Sequence, residues 1–304
     1  MKIVFFGTPE FAVPFLDALF NDKEIDILAV VTQPDREAGR KKTLTPPPVK
    51  IKAQDLGLTV LQPLKLKNND ELINLLKGLK ADFFVVIAYG KIFPNEILDI
   101  AKYGSVNVHG SLLPKYRGAS PIQSALLNGD KETGLSIIKI SEELDAGNIY
   151  LLKKETINED DTYETLARRL SEIGAILLPS ALKDIKNKVL TPIEQNESRA
   201  TKCEKFTKSD ALIDPKTEEA EKIYNKLKAF TPWPGIYMVF KGKRLKIVKA
   251  APLKEQSTVN AGEFKEINKE LILGTKKGDL KITEIQPEGK KVMQPNEFIN
   301  GFLR

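Results

Sequence analysis

The chain has 304 residues but only one cysteine, one histidine and one tryptophan. Each scarcity excludes something. A lone Cys203 excludes an intrachain disulfide and any multi-cysteine metal centre. One histidine and one cysteine cannot assemble the usual catalytic zinc set, so no metal is expected. Long apolar runs are missing too: stretches such as Phe83 to Tyr89 fall far short of the roughly 20 residues that span a bilayer. No membrane partner is expected. The start, Met1-Lys-Ile-Val-Phe-Phe-Gly7, has a short apolar run with no small-residue cleavage site after it, so it reads as a first strand and a cytoplasmic location follows.

Several catalytic signatures are also absent. Gly7-Thr-Pro-Glu10 follows the first apolar run, but dinucleotide phosphates need Gly-x-Gly-x-x-Gly, and Pro9 removes a backbone donor. There is no Gly-x-x-x-x-Gly-Lys-Ser/Thr phosphate loop and no Gly-x-Ser-x-Gly nucleophile elbow. What remains is chemistry carried by a bound organic substrate or cofactor.

With 41% hydrophobic and 29% charged residues, the composition is that of a globular protein, and the length suggests two domains. The net charge of +6 is uneven. From Lys205 onward there are 20 Lys and Arg against 13 Asp and Glu, a net of +7, which leaves 27 against 28 in the first 204 residues. A basic module joined to a neutral one suits a polyanionic partner such as a nucleic acid.

The first half alternates strand-like and helix-like segments. Lys2 to Phe6, Ile27 to Gln33, Thr59 to Gln62, Phe83 to Tyr89 and Ser105 to Val108 are apolar or β-branched runs. Phe11 to Phe20, Asn69 to Leu79 and Asn95 to Ala101 lie between them with helical character. Runs apolar at successive positions suit strands covered on both faces, so the fold class is α/β with a parallel sheet. Ligands of such sheets bind beyond the carboxyl ends of the strands, which directs attention to the loops beginning at Gly7, Thr32, Tyr89 and His109.

Gly134 to Ser141 and Asn148 to Thr156 add two strands, and Thr162 to Asn187 reads as a long helix with Leu166, Leu170, Ile173, Ile176 and Leu177 on its buried face. Lys188 to Lys208 is polar and without period, and it is taken as a linker. The expected division is residues 1–188, a linker over 189–207, and a second domain over 208–304. In that second domain a helix near Glu218 to Phe230 precedes short strands punctuated by Gly and Lys, which predicts a small β-barrel. Between them, Phe230-Thr-Pro-Trp-Pro-Gly235 reads as a rigid corner whose Trp233 packs into that barrel.

The central candidates for chemistry are Asn107, His109 and Asp145. On a strand ending near Val108, positions 107 and 109 project to the same side, where a parallel sheet presents its site. Asp145, in Leu144-Asp-Ala-Gly147, can reach the same edge. An amide donor, an imidazole and a carboxylate are the parts needed to hold a carbonyl oxygen, move a proton and orient the group that moves it.

The run Asn107-Val-His-Gly-Ser-Leu-Leu-Pro-Lys-Tyr-Arg-Gly118, followed by Leu144-Asp-Ala-Gly147, resembles the signature of the folate-dependent formyltransferases. The resemblance covers essentially the whole chain. It extends to Phe5-Phe-Gly-Thr-Pro-Glu-Phe-Ala12, Gln33-Pro-Asp-Arg-Glu-Ala-Gly-Arg-Lys-Lys42, Pro46-Pro-Pro-Val-Lys50 and Phe230-Thr-Pro-Trp-Pro-Gly235, which resemble the branch whose acceptor is methionyl initiator tRNA. It implies a Rossmann-like catalytic domain, a linker and a carboxyl-terminal barrel of OB type, acting as a monomer with 10-formyltetrahydrofolate as co-substrate.

Several roles follow from this resemblance. The α-amino group of the esterified methionine attacks the formyl carbon, Asn107 and His109 stabilise the tetrahedral oxyanion, and Asp145 orients His109 and helps pass the proton. Ser111-Leu112-Leu113-Pro114 corresponds to the folate-binding segment, and main-chain groups around Ile87 to Tyr89 hold the pterin. The long loop Asp35 to Thr45 is the segment that enters the acceptor stem, with Arg36, Arg40, Lys41 and Lys42 on tRNA and Arg40 foremost. The family often has glycine where this chain has Lys41. Lys243, Arg244, Lys246 and Lys249 form the further tRNA surface. The rival readings are formylation of an amino sugar nucleotide or of glycinamide ribonucleotide, hydrolysis of the formyl group, and a noncatalytic RNA-binding relative.

Overall fold

The structure is a computed structural model that describes residues 1–39, 42–253 and 259–304. It divides into two units, one of Met1–Pro121, Glu132–Thr156 and Ala167–Cys203, the other of Ile122–Lys131, Ile157–Leu166 and Glu204–Arg304.

In chain order the first unit begins with β1 (Lys2–Gly7), α1 (Val13–Asn21) and β2 (Asp26–Val31), then a small hairpin of β3 (Arg36–Ala38) and β4 (Thr43–Thr45). After these come α2 (Pro48–Asp55), β5 (Val60–Leu61), α3 (Asp70–Leu79), β6 (Phe83–Ile87), the short α4 (Asn95–Leu98) and β7 (Ser105–His109). Along the chain they are followed by β8 (Arg117–Gly118), α5 (Pro121–Leu127), β9 (Glu132–Lys139), β10 (Ile149–Thr156), α6 (Tyr163–Lys186) and β11 (Lys202–Cys203), of which α5 from Ile122 and α6 up to Leu166 belong to the second unit.

Seven strands form one sheet in the order β10-β9-β7-β6-β1-β2-β5. Its five strands from β7 to β5 are parallel, as expected for runs that are apolar on both faces: every residue of β6 is buried. The last two strands run the other way, β9 antiparallel to β7 and β10 antiparallel to β9. With Lys139 opposite Val106, the turn after β9 starts beside the beginning of β7, and from it the Asp145 side chain reaches Asn107 and His109. Phe6, Phe84, Tyr89 and Phe93 pack edge to face or tilted on one side of the sheet, with ring centroids 4.9 to 6.0 Å apart.

Helix α6 departs from its expected face. Leu166 and Leu170 are fully buried, but Ile176 is 78% exposed. The buried stripe runs instead through Leu170, Gly174, Leu178 and Leu182. A Cβ on Gly174 would lie 2.5 Å from the Phe15 ring and 2.9 Å from Leu135. The glycine lets the helix approach closely, and so the stripe includes a residue that carries no hydrophobicity.

The second unit contains α7 (Ala220–Phe230), β12 (Tyr237–Phe240), β13 (Lys243–Leu253), β14 (Phe264–Ile267), β15 (Glu270–Gly274), β16 (Asp279–Pro287) and α8 (Pro295–Phe298). The expected small barrel is realised as a five-stranded antiparallel sheet in the order β12-β13-β16-β15-β14, and no pairing between β12 and β14 closes it among the described residues. Leu245, Ile247, Leu271, Leu273, Leu280, Ile282 and Phe298 fill its buried side. Trp233 does not. It is 56% exposed at the end of α7, where Thr231 and Gly235 fold the corner back by bonding to the carbonyls of Leu227 and Phe230. The corner is present as expected, but it turns the indole outward.

Candidate active site

Strand β7 ends at His109, which is 5% exposed, and its neighbour across the sheet is Ser136 of β9. The imidazole has two partners. Nε2 lies 2.8 Å from the Tyr116 carbonyl oxygen, an atom that only accepts, so Nε2 donates. Nδ1 lies 3.6 Å from Asp145 Oδ2. The ring is therefore pinned on one side, and the nitrogen left to gain or lose a proton faces a carboxylate. Asn107, two residues earlier on the same strand face, directs its amide at the other oxygen of that carboxylate, with Nδ2 to Asp145 Oδ1 at 3.5 Å. The three residues singled out from sequence thus meet.

Asp145 itself sits in left-handed backbone, with φ of 54°. That region costs a non-glycine residue roughly 1–2 kcal/mol, though Asp and Asn adopt it more readily than most. The backbone N–H of Gly118 donates to Asp145 Oδ2 at 2.8 Å, and the Gln195 side-chain amide donates to the carbonyls of both Asp145 and Gly147 at 2.7 Å. A Cβ on Gly147 would land on the Lys139 carbonyl oxygen, so glycine is required there by close approach of backbone.

Gln195 belongs to the stretch read as linker, and it was not singled out. Neither was Arg117, 3% exposed, whose guanidinium donates to Glu197 at 2.9 and 2.6 Å and, through Nε, to Gln195 Oε1 at 2.9 Å. The Glu197 carboxylate raises the pKa of Arg117 and is itself held below the usual carboxylate range by it. Ile193 bridges Ile149, Thr201 accepts from the Tyr116 N–H at 2.8 Å, and β11 pairs with β8. Polar residues without a period left no signal of this docking.

The folate candidates divide. Ser111 and Leu113 are buried. Ser111 Oγ bonds the Lys115 carbonyl, while Ser136 Oγ donates to the Ser111 carbonyl at 2.6 Å and accepts from the Leu113 N–H at 2.9 Å. Leu112 and Pro114 are half-buried, with Leu112 against Gly134. This run is a built turn behind the trio. The Tyr89 carbonyl already accepts from Thr8 and Gln33, at 3.0 and 3.1 Å, and its buried hydroxyl has no partner among the described residues. Ile87 is fully buried at the end of β6. A cavity of about 480 Å³ opens beside the Asp145 turn, lined by Leu98, Asp99, Lys139, Ile140, Glu142 and Gly147 among others. Its size suits a drug-sized organic ligand.

The basic residues lie elsewhere. Arg36 is exposed and donates to Gln33 at 3.1 Å, and Lys42 is exposed at the hairpin tip with φ of 48°. Arg40 and Lys41 lie outside the described residues. In the second unit Lys243 and Arg244 are exposed, and Arg244 stacks 3.7 Å over Tyr237. Arg244 and Lys246 share one face of β13, opposite Val239 and Tyr237, whereas Lys249 is paired with Glu284 at 2.6 Å.

Comparison with known proteins shows which family the chain belongs to. The family model for formyl transferase matches residues 1–182, and that for the formyl transferase C-terminal domain matches residues 205–303. A methionyl-tRNA formyltransferase of Caldicellulosiruptor saccharolyticus is 44% identical over 305 residues, covering 99% of this chain and 97% of that protein. One from Thermodesulfovibrio yellowstonii is 46% identical over 299 residues, covering 98% and 95%. Among solved structures, the methionyl-tRNA formyltransferase from Clostridium thermocellum aligns with a TM-score of 0.58 at 20% identity over 83% of this chain and 93% of that one. The sugar 3N-formyl transferase WlaRD aligns at 0.67 and 18% over 96% and 99%, a likeness of fold alone. With both family models matched and such relatives aligned nearly end to end, the chain belongs to the formyl transferases and, within them, to the methionyl-tRNA formyltransferase family.

Proposed function

We propose that this chain transfers the formyl group of 10-formyltetrahydrofolate to the α-amino group of methionine on initiator tRNA. The observation that carries the reading is that relatives of that activity match 98–99% of the chain at 44–46% identity, and Asn107, His109 and Asp145 meeting in the structure supports it. The cavity beside the Asp145 turn fits the folate: it is of ligand size, and its lining mixes Leu98 and Ile140 with Asp99, Lys139 and Glu142. Bound there, the folate supplies an activated formyl carbon. Ser111-Leu112-Leu113-Pro114 and the main chain around Ile87 to Tyr89, which the family resemblance assigns to the folate, are not among the residues lining that cavity, and they would meet the folate only where it extends beyond it.

Asn107 directs a neutral amide donor toward the oxygen of the reacting carbonyl, where negative charge develops. His109, fixed by the Tyr116 carbonyl, presents Nδ1 for the proton that the attacking amine must lose and can return it to the nitrogen whose bond to the formyl carbon breaks as tetrahydrofolate leaves. Asp145 steadies the imidazole when it carries that proton. For this the 3.6 Å gap need close by only a few tenths of an ångström. The tRNA is held by Arg36, Arg40, Lys41 and Lys42 of the segment 35–45 and by Lys243, Arg244 and Lys246 of the second unit, in the cytoplasm and with the enzyme acting as a monomer.

The test supplies 10-formyltetrahydrofolate with methionyl initiator tRNA, methionyl elongator tRNA or an amino sugar nucleotide. Transfer to the initiator is expected to dominate. Transfer only to the sugar, or none, overturns the reading.

A further inference from the structure

We propose that Gln195 is a positioning residue for formyl transfer: it locks the Asp145 turn in the left-handed conformation that aims the carboxylate at His109. The proposal rests on the trio being the reaction centre, as argued above.

The side chain is fully used. Both amide hydrogens go to carbonyls of the turn, Asp145 and Gly147, at 2.7 Å each, and the amide oxygen accepts from Arg117 Nε at 2.9 Å. Arg117 in turn is buried and forks onto Glu197, two residues beyond Gln195. The chain from Glu197 through Arg117 to Gln195 thus terminates on the backbone that sets the direction of Asp145. The residue after Arg117 closes the circuit, since the Gly118 N–H donates to Asp145 Oδ2 at 2.8 Å. The same segment reaches the other partner of His109: Thr201 Oγ1 accepts from the Tyr116 N–H, and Cys203 Sγ donates to the Tyr116 carbonyl at 3.3 Å. Residues 195–203 therefore hold both groups that flank the imidazole.

Geometry alone makes Gln195 more than a spacer. Without its two donors, the Asp145 and Gly147 carbonyls lose their partners, and a left-handed aspartate has an easier extended alternative. The carboxylate then swings from Nδ1. A displacement of about 1 Å in a catalytic group costs on the order of 100-fold in rate.

The test is a pair of substitutions in the full-length enzyme. Gln195→Glu is isosteric and keeps a partner for Arg117, but it sets an oxyanion against two carbonyl oxygens. Gln195→Ala removes all three bonds and admits water. We expect Gln195→Glu to lower kcat about 100-fold and Gln195→Ala about tenfold, with KM for the folate and for tRNA within about twofold of wild type. In an Asp145→Asn background Gln195→Ala should cost less than about twofold more, because the two changes act on one group. His109 is the only histidine, so its imidazole NMR signals are unambiguous, and they should move in both Gln195 variants.

A kcat equal to wild type per folded molecule, or a full multiplicative loss in the Asp145→Asn background, overturns the proposal. If the Gln195 variants do not fold, Glu197→Gln decides, since Glu197 is 69% exposed and tolerates the change. It should lower kcat about threefold and move the His109 signals, and no change in either overturns the idea. Should His109→Ala and Asp145→Asn themselves retain transfer, the trio is misread. Should they abolish it while Gln195 is silent, the trio stands and only the positioning role fails.

Discussion

Residues 35–45 and 188–208 look alike in sequence, polar and without hydrophobic period, yet they do opposite things. Among the described residues the first is a hairpin tied down at its base, where Asp35 accepts from Lys50 and Gln62 and Gln33 accepts from Arg36. From Lys42 to Thr45 its described residues are exposed. The second is laid along the end of the sheet and bound through Ile193, Gln195, Glu197, Thr201 and Cys203 to the turn and strand that hold the trio. Polarity in the described hairpin residues faces solvent. In residues 193–203 it serves buried backbone.

The comparison breaks first at the trio. His109→Ala removes the only imidazole and should lower kcat at least about 1000-fold, in keeping with loss of a proton carrier and an orienting group together, while tRNA binding measured by filter retention stays within about twofold. A comparable loss of tRNA binding would mean that the residue supports the fold, not the reaction.

Gly147→Ala tests the turn that Gln195 grips. The added Cβ meets the Lys139 backbone carbonyl, which cannot rotate away. A loss of kcat on the order of 100-fold is expected, with the melting temperature reporting any additional strain. Wild-type turnover would show that the Asp145 turn has latitude the hydrogen bonds do not suggest. In the hairpin, Arg40→Ala should instead lower kcat/KM for tRNA about tenfold to 100-fold, the range for one nucleic-acid contact, and leave folate binding unchanged in a titration. If Arg40→Ala is indistinguishable from wild type, the hairpin is not the acceptor-reading element.

Much of this was visible in the residues themselves. Continuous apolar runs marked the parallel strands because both faces are covered, and β7 was placed closely enough to bring Asn107 and His109 to one side. Other features were hidden for identifiable reasons. Helix α2 is eight residues long with a weak apolar face, and the hairpin's two strands are three residues each, too short for either period to register. The stripe of α6 was misassigned at Ile176 because Gly174 marks contact by lacking a side chain. Trp233 was misplaced because an apolar ring predicts burial only on average, and a corner can turn it outward. The docking of residues 193–203 depends on hydrogen bonds between residues about 50 to 85 apart in sequence, which no local pattern encodes.

The smallest expected effect lies at acid pH, and it tests whether the two segments share a kind of anchor. Asp35 is held below the ordinary carboxylate pKa first by the Gln62 amide and then by Lys50 beside it; Glu197 is held below its own by Arg117. A carboxylate with a depressed folded pKa contributes its stabilisation in full above its unfolded value and loses it as pH falls through the folded one. Both anchors should therefore hold from neutral pH to about pH 4, where free carboxylates titrate, and release only below it. Amide exchange of Arg117 and Gly118 beside the second segment, and of the β3 and β4 amides in the first, corrected for intrinsic rates, should show protection that is flat from pH 7 to about pH 5 and falls for both below about pH 4. If the protection of Arg117 and Gly118 falls alone between pH 7 and 5, the Arg117 to Glu197 pair is not what holds residues 195–203, and the apparent symmetry between the two anchors is lost.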